Sequence, residues 1–153
     1  VRQRQATRPA MPLLKYLADT NVLSAKMAGE QPVLDWLEAH EAEVAVSTLS
    51  IAELRRGIEL KPHSKKRREL EREFRFVMED FVGCIWVFDE PAAFEWGRLL
   101  AEAATRNRPL PFADSLIGAI ARSMGAKVLS SDKTGFAGCA RVDPGTGLEY
   151  SPW

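Results

Sequence analysis

Apolar and polar positions along the chain form short apolar runs separated by longer segments in which apolar residues recur with helical spacing. The short runs have strand length and end abruptly at polar residues. Strands that alternate with helices in this way favour a parallel sheet with right-handed crossovers. The predicted fold class is therefore α/β, with strands near residues 15–18, 44–48, 84–88 and 127–130 and weaker β-like pieces near 139–142 and 148–150.

Two of the predicted helices carry specific expectations about which side chains face the core. A helix capped by Asp89 should run to about Thr105, and another should run from Phe112 towards the C-cap candidate Gly125. The residues expected to face inward are Ala93, Trp96, Leu100 and Ala103 on the first helix, and Leu116, Ile117, Ile120 and Met124 on the second.

The composition predicts one globular domain preceded by a short tail. Hydrophobic residues make up 46% and charged residues 27% of the 153 positions, which is enough for one sizeable core. Residues 1–12 contain three arginines and two prolines but almost no large apolar side chain, so a flexible N-terminal tail is expected there. The domain should then occupy residues 13–153.

Charge and cysteine content limit the function classes. Lys plus Arg and Asp plus Glu both number 21, so any attraction to nucleic acid must be local. Cys84 and Cys139 lack the spacing of a metal site, which favours two free thiols in a reducing compartment. The chain shows neither a membrane-length apolar run nor a signal peptide, and we expect a soluble cytoplasmic protein.

Four acids, each predicted beside the end of a strand, carry the candidate chemistry. Asp19 and Asp132 follow predicted strands, whereas Glu53 and Asp114 lie early in predicted helices. Because the carboxyl ends of parallel strands meet at one edge of a sheet, these four side chains should converge there. A cluster of carboxylates would bind a hard divalent cation such as Mg²⁺ or Mn²⁺.

Each acid also has a purely structural interpretation. Asp19 fits a helix cap, and Ser50 with Glu53 matches a capping box. Asp114 in a first helical turn would favour the helix dipole, and Asp132 is placed to form a turn. Taken singly, these interpretations are about as good as the functional one. The coincidence of four acids at one sheet edge favours a metal site.

The residues around these acids narrow the reaction class. His40 and His63 lie on polar or loop segments, so neither is expected to act as a base. Carboxylates without a neighbouring nucleophile are typical of metal-assisted phosphodiester hydrolysis. The dense basic run of Lys65, Lys66, Arg67 and Arg68 is either an RNA contact or a solvated start of a helix.

The ordered set of acidic motifs resembles PIN-domain ribonucleases. It is most similar to VapC-type toxins of bacterial toxin–antitoxin pairs, particularly the FitB-like branch, whose chains also end in Pro-Trp. The motifs are Leu-Ala-Asp-Thr-Asn-Val-Leu-Ser at 17–24, Leu-Ser-Ile-Ala-Glu-Leu-Arg-Arg-Gly at 49–57, Phe-Ala-Asp-Ser-Leu-Ile-Gly-Ala at 112–119, and Val-Leu-Ser-Ser-Asp at 128–132 followed by Gly-Phe at 135–136.

This resemblance implies a PIN-like sandwich with a central parallel sheet and a Mg²⁺- or Mn²⁺-dependent endoribonuclease that leaves a 5′-phosphate and a 3′-hydroxyl. It further implies a homodimer and neutralisation by a VapB- or FitA-like antitoxin. The usual Thr-Arg before the fourth acid is replaced by Ser130-Ser131, which keeps the hydroxyl at Ser130, but the resemblance implies no RNA contact from position 131. The family carries its metal on the residues matched by Asp19, Glu53, Asp114 and Asp132, with support from those matched by Asn21 and Ser130.

Two other functions are compatible with the sequence. One is a non-catalytic nucleic-acid-binding subunit of an autoregulating repressor complex. The other is a receiver-like phosphoacceptor domain, which also clusters acids around Mg²⁺. The receiver interpretation is disfavoured because Asp19 has no acidic neighbour and the strand that should end at a lysine ends in Ser130-Ser131.

Overall fold

The computed structural model describes residues 13–153, so the predicted tail at 1–12 lies outside the described residues. Six strands in this range form one sheet in the order β3-β2-β1-β4-β5-β6. All neighbouring pairs are parallel except β5 and β6, which are antiparallel. The strands are β1 (Tyr16–Ala18), β2 (Val44–Ser47), β3 (Ile85–Trp86), β4 (Lys127–Leu129), β5 (Arg141–Val142) and β6 (Glu149–Tyr150).

Helices cover both faces of this sheet, as the predicted α/β fold class requires. A single 3₁₀ turn, Glu41–Glu43, precedes β2. The prediction of a largely parallel sheet flanked by helices is confirmed, with the antiparallel β6 as an addition at one edge. Within the described residues the helices are α1 (Thr20–Ala28), α2 (Gln31–Ala39), α3 (Thr48–Glu59), α4 (Lys65–Asp80), α5 (Glu90–Thr105) and α6 (Phe112–Ser123).

The alternation of side chains along the short central strands divides the core into two layers. Ala18 of β1 packs with residues of α1–α4, whereas its neighbour Leu17 packs with residues of α5 and α6. The same division separates Leu129 from Val128 on β4. Since both faces are covered, these strands are apolar at nearly every position, as is typical of parallel sheets.

Two of the four inward positions predicted on α5 are wrong, each by one position along the helix, whereas Ala103 is buried as predicted. Ala93 and Leu100 are exposed, and the buried positions are Ala92, Leu99 and Ala103. Asp89 is the N-cap, as predicted, and its carboxylate accepts a hydrogen bond from the amide of Ala92 at 3.1 Å. The buried side of α5 therefore begins at Ala92, one position earlier along the helix than the apolar pattern predicts.

The packing of α6 depends on small residues. Gly118 faces α5 and the loop after β4, where an added Cβ would lie 2.6 Å from Cys139 Sγ and 3.8 Å from a Leu99 methyl group. Ile117 and Ile120 are buried as predicted, but Met124 is 50% exposed because the helix ends at Ser123.

Neither cysteine is in a disulfide, which confirms the prediction of two free thiols. Burial raises the pKa of the Cys139 thiol to about 12, so this residue packs as a small apolar side chain. Among residues 13–153, none of the helices combines the length and hydropathy needed to cross a membrane.

Candidate functional site

Asp19 and Ser130 are neighbours because β1 and β4 are adjacent parallel strands that end at the same level. Ala18 pairs with Leu129, so the next residue of each strand lies at the carboxyl edge of the sheet. Ser130 Oγ donates a hydrogen bond to Asp19 Oδ2 at 2.9 Å. Asp19 is only 3% exposed and Ser130 is fully buried. The strand ends therefore hold one carboxylate in a fixed position at this edge.

Glu53 reaches this edge from α3, which begins immediately after β2. The N-cap of α3 is Ser47, whose hydroxyl accepts the amide of Ser50 at 3.1 Å, so Ser50 and Glu53 do not form the capping box considered from sequence. Glu53 instead accepts a short hydrogen bond from the hydroxyl of Thr20. The structural interpretation of Glu53 as a capping residue is therefore excluded.

Thr20 is a site residue that the sequence analysis did not select. Its hydroxyl lies within 3.1 Å of Ser50 Oγ and also contacts Glu53. Asn21, which was selected, is exposed on the first turn of α1. The position directly after Asp19 is the only sequence signal for Thr20, because its partners on α3 are 30 or more residues away along the chain.

Asp114 also lies at this edge, but its helix does not directly follow a strand as predicted. It lies in the first turn of α6, which follows α5 and a proline-containing segment rather than a strand. Only three residues separate the end of α6 from the start of β4. The end of α6 is therefore at the amino edge of the sheet, and its beginning, about 18 Å away, is at the carboxyl edge.

Asp132 is held by the loop after β4, so the turn interpretation and the site interpretation both apply to it. Its Oδ1 accepts the amides of Thr134 at 2.9 Å and Gly135 at 3.1 Å. Its Oδ2 points towards Asp114: a Cβ added to Gly135 would lie 2.6 Å from Asp132 Oδ2 and 2.5 Å from Asp114 Oδ2. Glycine at 135 thus leaves the space in which these two carboxylates face each other.

Burial, hydrogen bonds and neighbouring charge all shift the pKa values of the acids at this edge. Burial raises the pKa of Asp114 to about 6, with further contributions from Asp19, Asp132 and Glu53. Burial also raises the pKa of Asp19, although the hydrogen bond from Ser130 opposes this shift. The pKa of Asp132 is lowered, chiefly by the hydrogen bond from the Thr134 amide. All four acids are therefore close enough to influence one another.

Comparison with known proteins shows which family the chain matches. The PIN domain family matches residues 16–141, which include all four acids. The chain belongs to the PIN-domain family. It is similar to the toxin FitB of Neisseria gonorrhoeae, with 33% identity over 124 residues covering 78% of this chain and 89% of FitB. It is similarly 33% identical to the VapC ribonuclease Y4jK of Sinorhizobium fredii over 135 residues, covering 82% and 94% of the two chains.

A solved structure of related proteins has the same fold as this chain. The structure of FitAB bound to an IR36 DNA fragment matches this PIN domain with a TM-score of 0.77 and 31% identity, over 84% of this chain and 94% of that chain. The resemblance predicted from the acidic motifs is therefore confirmed at the level of family and fold.

The four acids of this PIN domain are near one another without forming a ready-made coordination group. In residues 13–153, no three His, Cys, Asp or Glu side chains are placed so that they could hold one metal ion as they stand. The acids are close enough to shift one another's pKa values but too far apart to share one ion, as expected if repulsion keeps the like charges separated. Glu53 in particular is turned towards Thr20.

A buried arginine behind the acids is a second residue that the sequence analysis missed. Arg141 is 5% exposed, donates a hydrogen bond to the carbonyl of Ser130 at 2.6 Å, and lies 4.1 Å from the ring centroid of Tyr150. Its charge contributes to the lowered pKa of Asp132. In the sequence, the only indication that Arg141 is buried near the site is its position inside a β-like segment. Arg141 supplies positive charge from β5, and Ser131, next to Ser130 in the chain, is exposed.

The basic run at the start of α4 divides into two kinds of residue. Arg67 pairs with Glu59 at 2.8 Å and Glu71 at 3.2 Å, and its guanidinium also donates to the carbonyl of Lys61. Arg67 therefore joins the end of α3 to α4. Lys65, Lys66 and Arg68 are exposed.

Proposed function

We propose that this PIN-domain chain is a divalent-metal-dependent endoribonuclease toxin, restrained by an antitoxin protein of the VapB or FitA kind and acting in the cytoplasm. The observation that carries the proposal is the convergence of four acids on the carboxyl edge of the sheet, where burial and like charge raise the pKa of Asp114 to about 6. The name of the Sinorhizobium relative, a VapC ribonuclease, supports RNA as the substrate.

The donor set fits a hard cation such as Mg²⁺ or Mn²⁺. Carboxylate oxygens are the ligands such ions prefer. The pKa of Asp114 is raised first by burial and then by the neighbouring acids, whose negative charge a cation would neutralise. Asp19, Glu53, Asp114 and Asp132 would hold the ion. When bound, it lowers the pKa of a coordinated water and stabilises charge on the phosphodiester oxygens.

The chain's own residues would act by positioning. Ser130 fixes Asp19 through a 2.9 Å hydrogen bond, and Thr20 orients Glu53. Asn21 is exposed beside Asp19, where it would support the site by contacting a substrate phosphate. RNA selection would depend on the shape of the surrounding loops and of the RNA, since no base-reading motif is apparent.

A non-catalytic role in a DNA-bound repressor complex is the second candidate. The observation that favours it is the similarity to FitAB bound to a DNA fragment. With 21 basic and 21 acidic residues, however, this chain carries no net charge to attract DNA, so the partner protein would have to supply most of that attraction.

The direct test is RNA cleavage by the purified chain. We expect total RNA to be cut at a limited set of sites in Mg²⁺ or Mn²⁺, and cutting to stop when a chelator is added and to resume when the metal is restored. Sequencing of the fragment ends should show 5′-phosphates. If the RNA stays intact under every metal condition, the chain is not an endoribonuclease, and the repressor role is favoured.

We also propose a homodimer formed through the exposed apolar side of α5. Phe94 is 66% and Leu100 39% exposed, and Ala93 and Gly97 extend the same side of the helix with small residues. Burying such a face is typical of a symmetric interface. Sedimentation should therefore give a dimer at micromolar concentration, and Phe94→Glu with Leu100→Glu should give a monomer. A 17.1 kDa species for the parent chain would contradict the dimer.

A further inference from the structure

A groove opens beside Glu53 between helices α1, α3 and α4, and we call it the α3 groove. Its volume is about 290 Å³. Met27, Leu54, Ile58 and Leu70 supply apolar wall from all three helices. Glu53 and Thr20 both line this groove, so it is continuous with the candidate site at the sheet edge.

Two lysines give the α3 groove a positive rim. Lys61 and Lys66 both line it and both are exposed. Within residues 13–153 neither side chain takes part in a salt bridge, in contrast to Arg67, which is held by Glu59 and Glu71. A polyanion that approaches four carboxylates needs such nearby positive charge to offset the repulsion.

Gly57 contributes a stretch of groove wall that has no side chain. It lies within α3 and lines the groove, and a Cβ added there would meet no atom within 4 Å. Glycine is disfavoured inside a helix, so its presence here does not serve helix stability. An added Cβ has open space around it, so a larger side chain at this groove-lining position can be introduced without a clash at its Cβ.

We infer that the α3 groove binds one nucleotide of the RNA substrate beside the cleaved bond, with the base against the apolar walls and flanking phosphates on Lys61 and Lys66. This inference rests on the proposed nuclease function, because it assigns a substrate position next to the same acids. A nucleotide combines an apolar base face with an anionic backbone, and the groove offers the complement of both within reach of Glu53.

The first test compares Gly57→Leu with Gly57→Ala. The probe is a fluorescent single-stranded 12-nucleotide RNA of random sequence, titrated in chelator so that binding is measured without cleavage. We expect Gly57→Leu to weaken binding about tenfold, the loss equivalent to one good contact, and Gly57→Ala to leave it within about twofold. Thermal melting identifies a variant that fails to fold.

The second test uses charge and does not depend on Gly57. The double variant Lys61→Gln/Lys66→Gln should reduce the salt slope of RNA binding by about 1.4, since each phosphate contact on a single strand contributes about 0.7. Arg72→Gln/Arg75→Gln removes the same charge from exposed positions of α4 that do not line the groove, and it should leave the slope near that of the parent.

The outcomes separate this inference from the nuclease proposal. If the parent cuts RNA but neither Gly57→Leu nor the Lys61/Lys66 pair weakens RNA binding beyond its control, the groove does not bind the substrate and the nuclease proposal stands. If the parent never cuts RNA while both groove variants weaken binding as expected, the nuclease proposal fails and the groove remains an RNA site. If Gly57→Leu abolishes only binding of the co-expressed antitoxin, the groove holds protein and the inference is wrong.

Discussion

An Asp19→Asn variant should lose RNA cleavage and should no longer slow growth when expressed without its antitoxin. The amide keeps the shape of the side chain but removes the negative charge of a buried carboxylate that Ser130 holds in place. Changing a residue that only supports a metal ligand typically lowers metal affinity or activity by roughly 10–100-fold, so losing a ligand itself should lower cleavage by more than about 100-fold.

The control for this variant is Asp35→Asn. Asp35 is exposed on α2, where it accepts a hydrogen bond from Gln31, and its replacement also removes one negative charge. This variant should cleave RNA and slow growth like the parent. An Asp19→Asn protein that remains fully toxic would contradict a catalytic role for Asp19 and would favour the non-catalytic repressor subunit. Growth curves and cleavage rates of the three proteins measure both effects.

The parts of the site that depend on local sequence could be predicted. Asp19 and Asp132 were found because a strand that ends in an acid is visible within a few residues. The large-scale order of elements was also visible, because the apolar period changes from 2 to 3.6 between strands and helices. Asp114 lies near the other three acids as expected, although α6 does not follow a strand. Its position comes from the direction in which α6 must run to reach β4.

The parts that depend on contacts between distant segments could not be predicted. Thr20 and Glu53 meet only because α1 and α3 start at neighbouring strands, and Arg141 reaches Ser130 only because β5 lies beside β4. Ala93 and Leu100 of α5 were each predicted inward one position too late, because Leu99 and Leu100 are equally apolar and only packing against α6 distinguishes them.

An Asp114→Asn variant should melt at a higher temperature than the parent in chelator at neutral pH. The folded-state pKa of Asp114 is raised from 3.8 to about 6, so the folded protein holds this proton more tightly than the unfolded chain. The ionised carboxylate therefore destabilises the fold above pH 6, and stability should increase as the pH falls from about 7 to about 4. Asparagine carries no charge, so the variant should be more stable than the parent at pH 7. Its stability should also lack the pH dependence that Asp114 contributes.

The same variant should gain less stability from Mg²⁺, because ligand stabilisation follows affinity and one proposed ligand is missing. If Asp114 served only the dipole of α6, the opposite would be seen: losing a favourable charge at the helix start should lower stability by about 0.3–1 kcal/mol and leave the Mg²⁺ response unchanged. Melts of both proteins from pH 4 to 8, with chelator and with Mg²⁺, decide between these results. A variant that melts lower in chelator and keeps the parent's Mg²⁺ shift would remove Asp114 from the proposed site, because neither charge repulsion nor metal binding would then involve it.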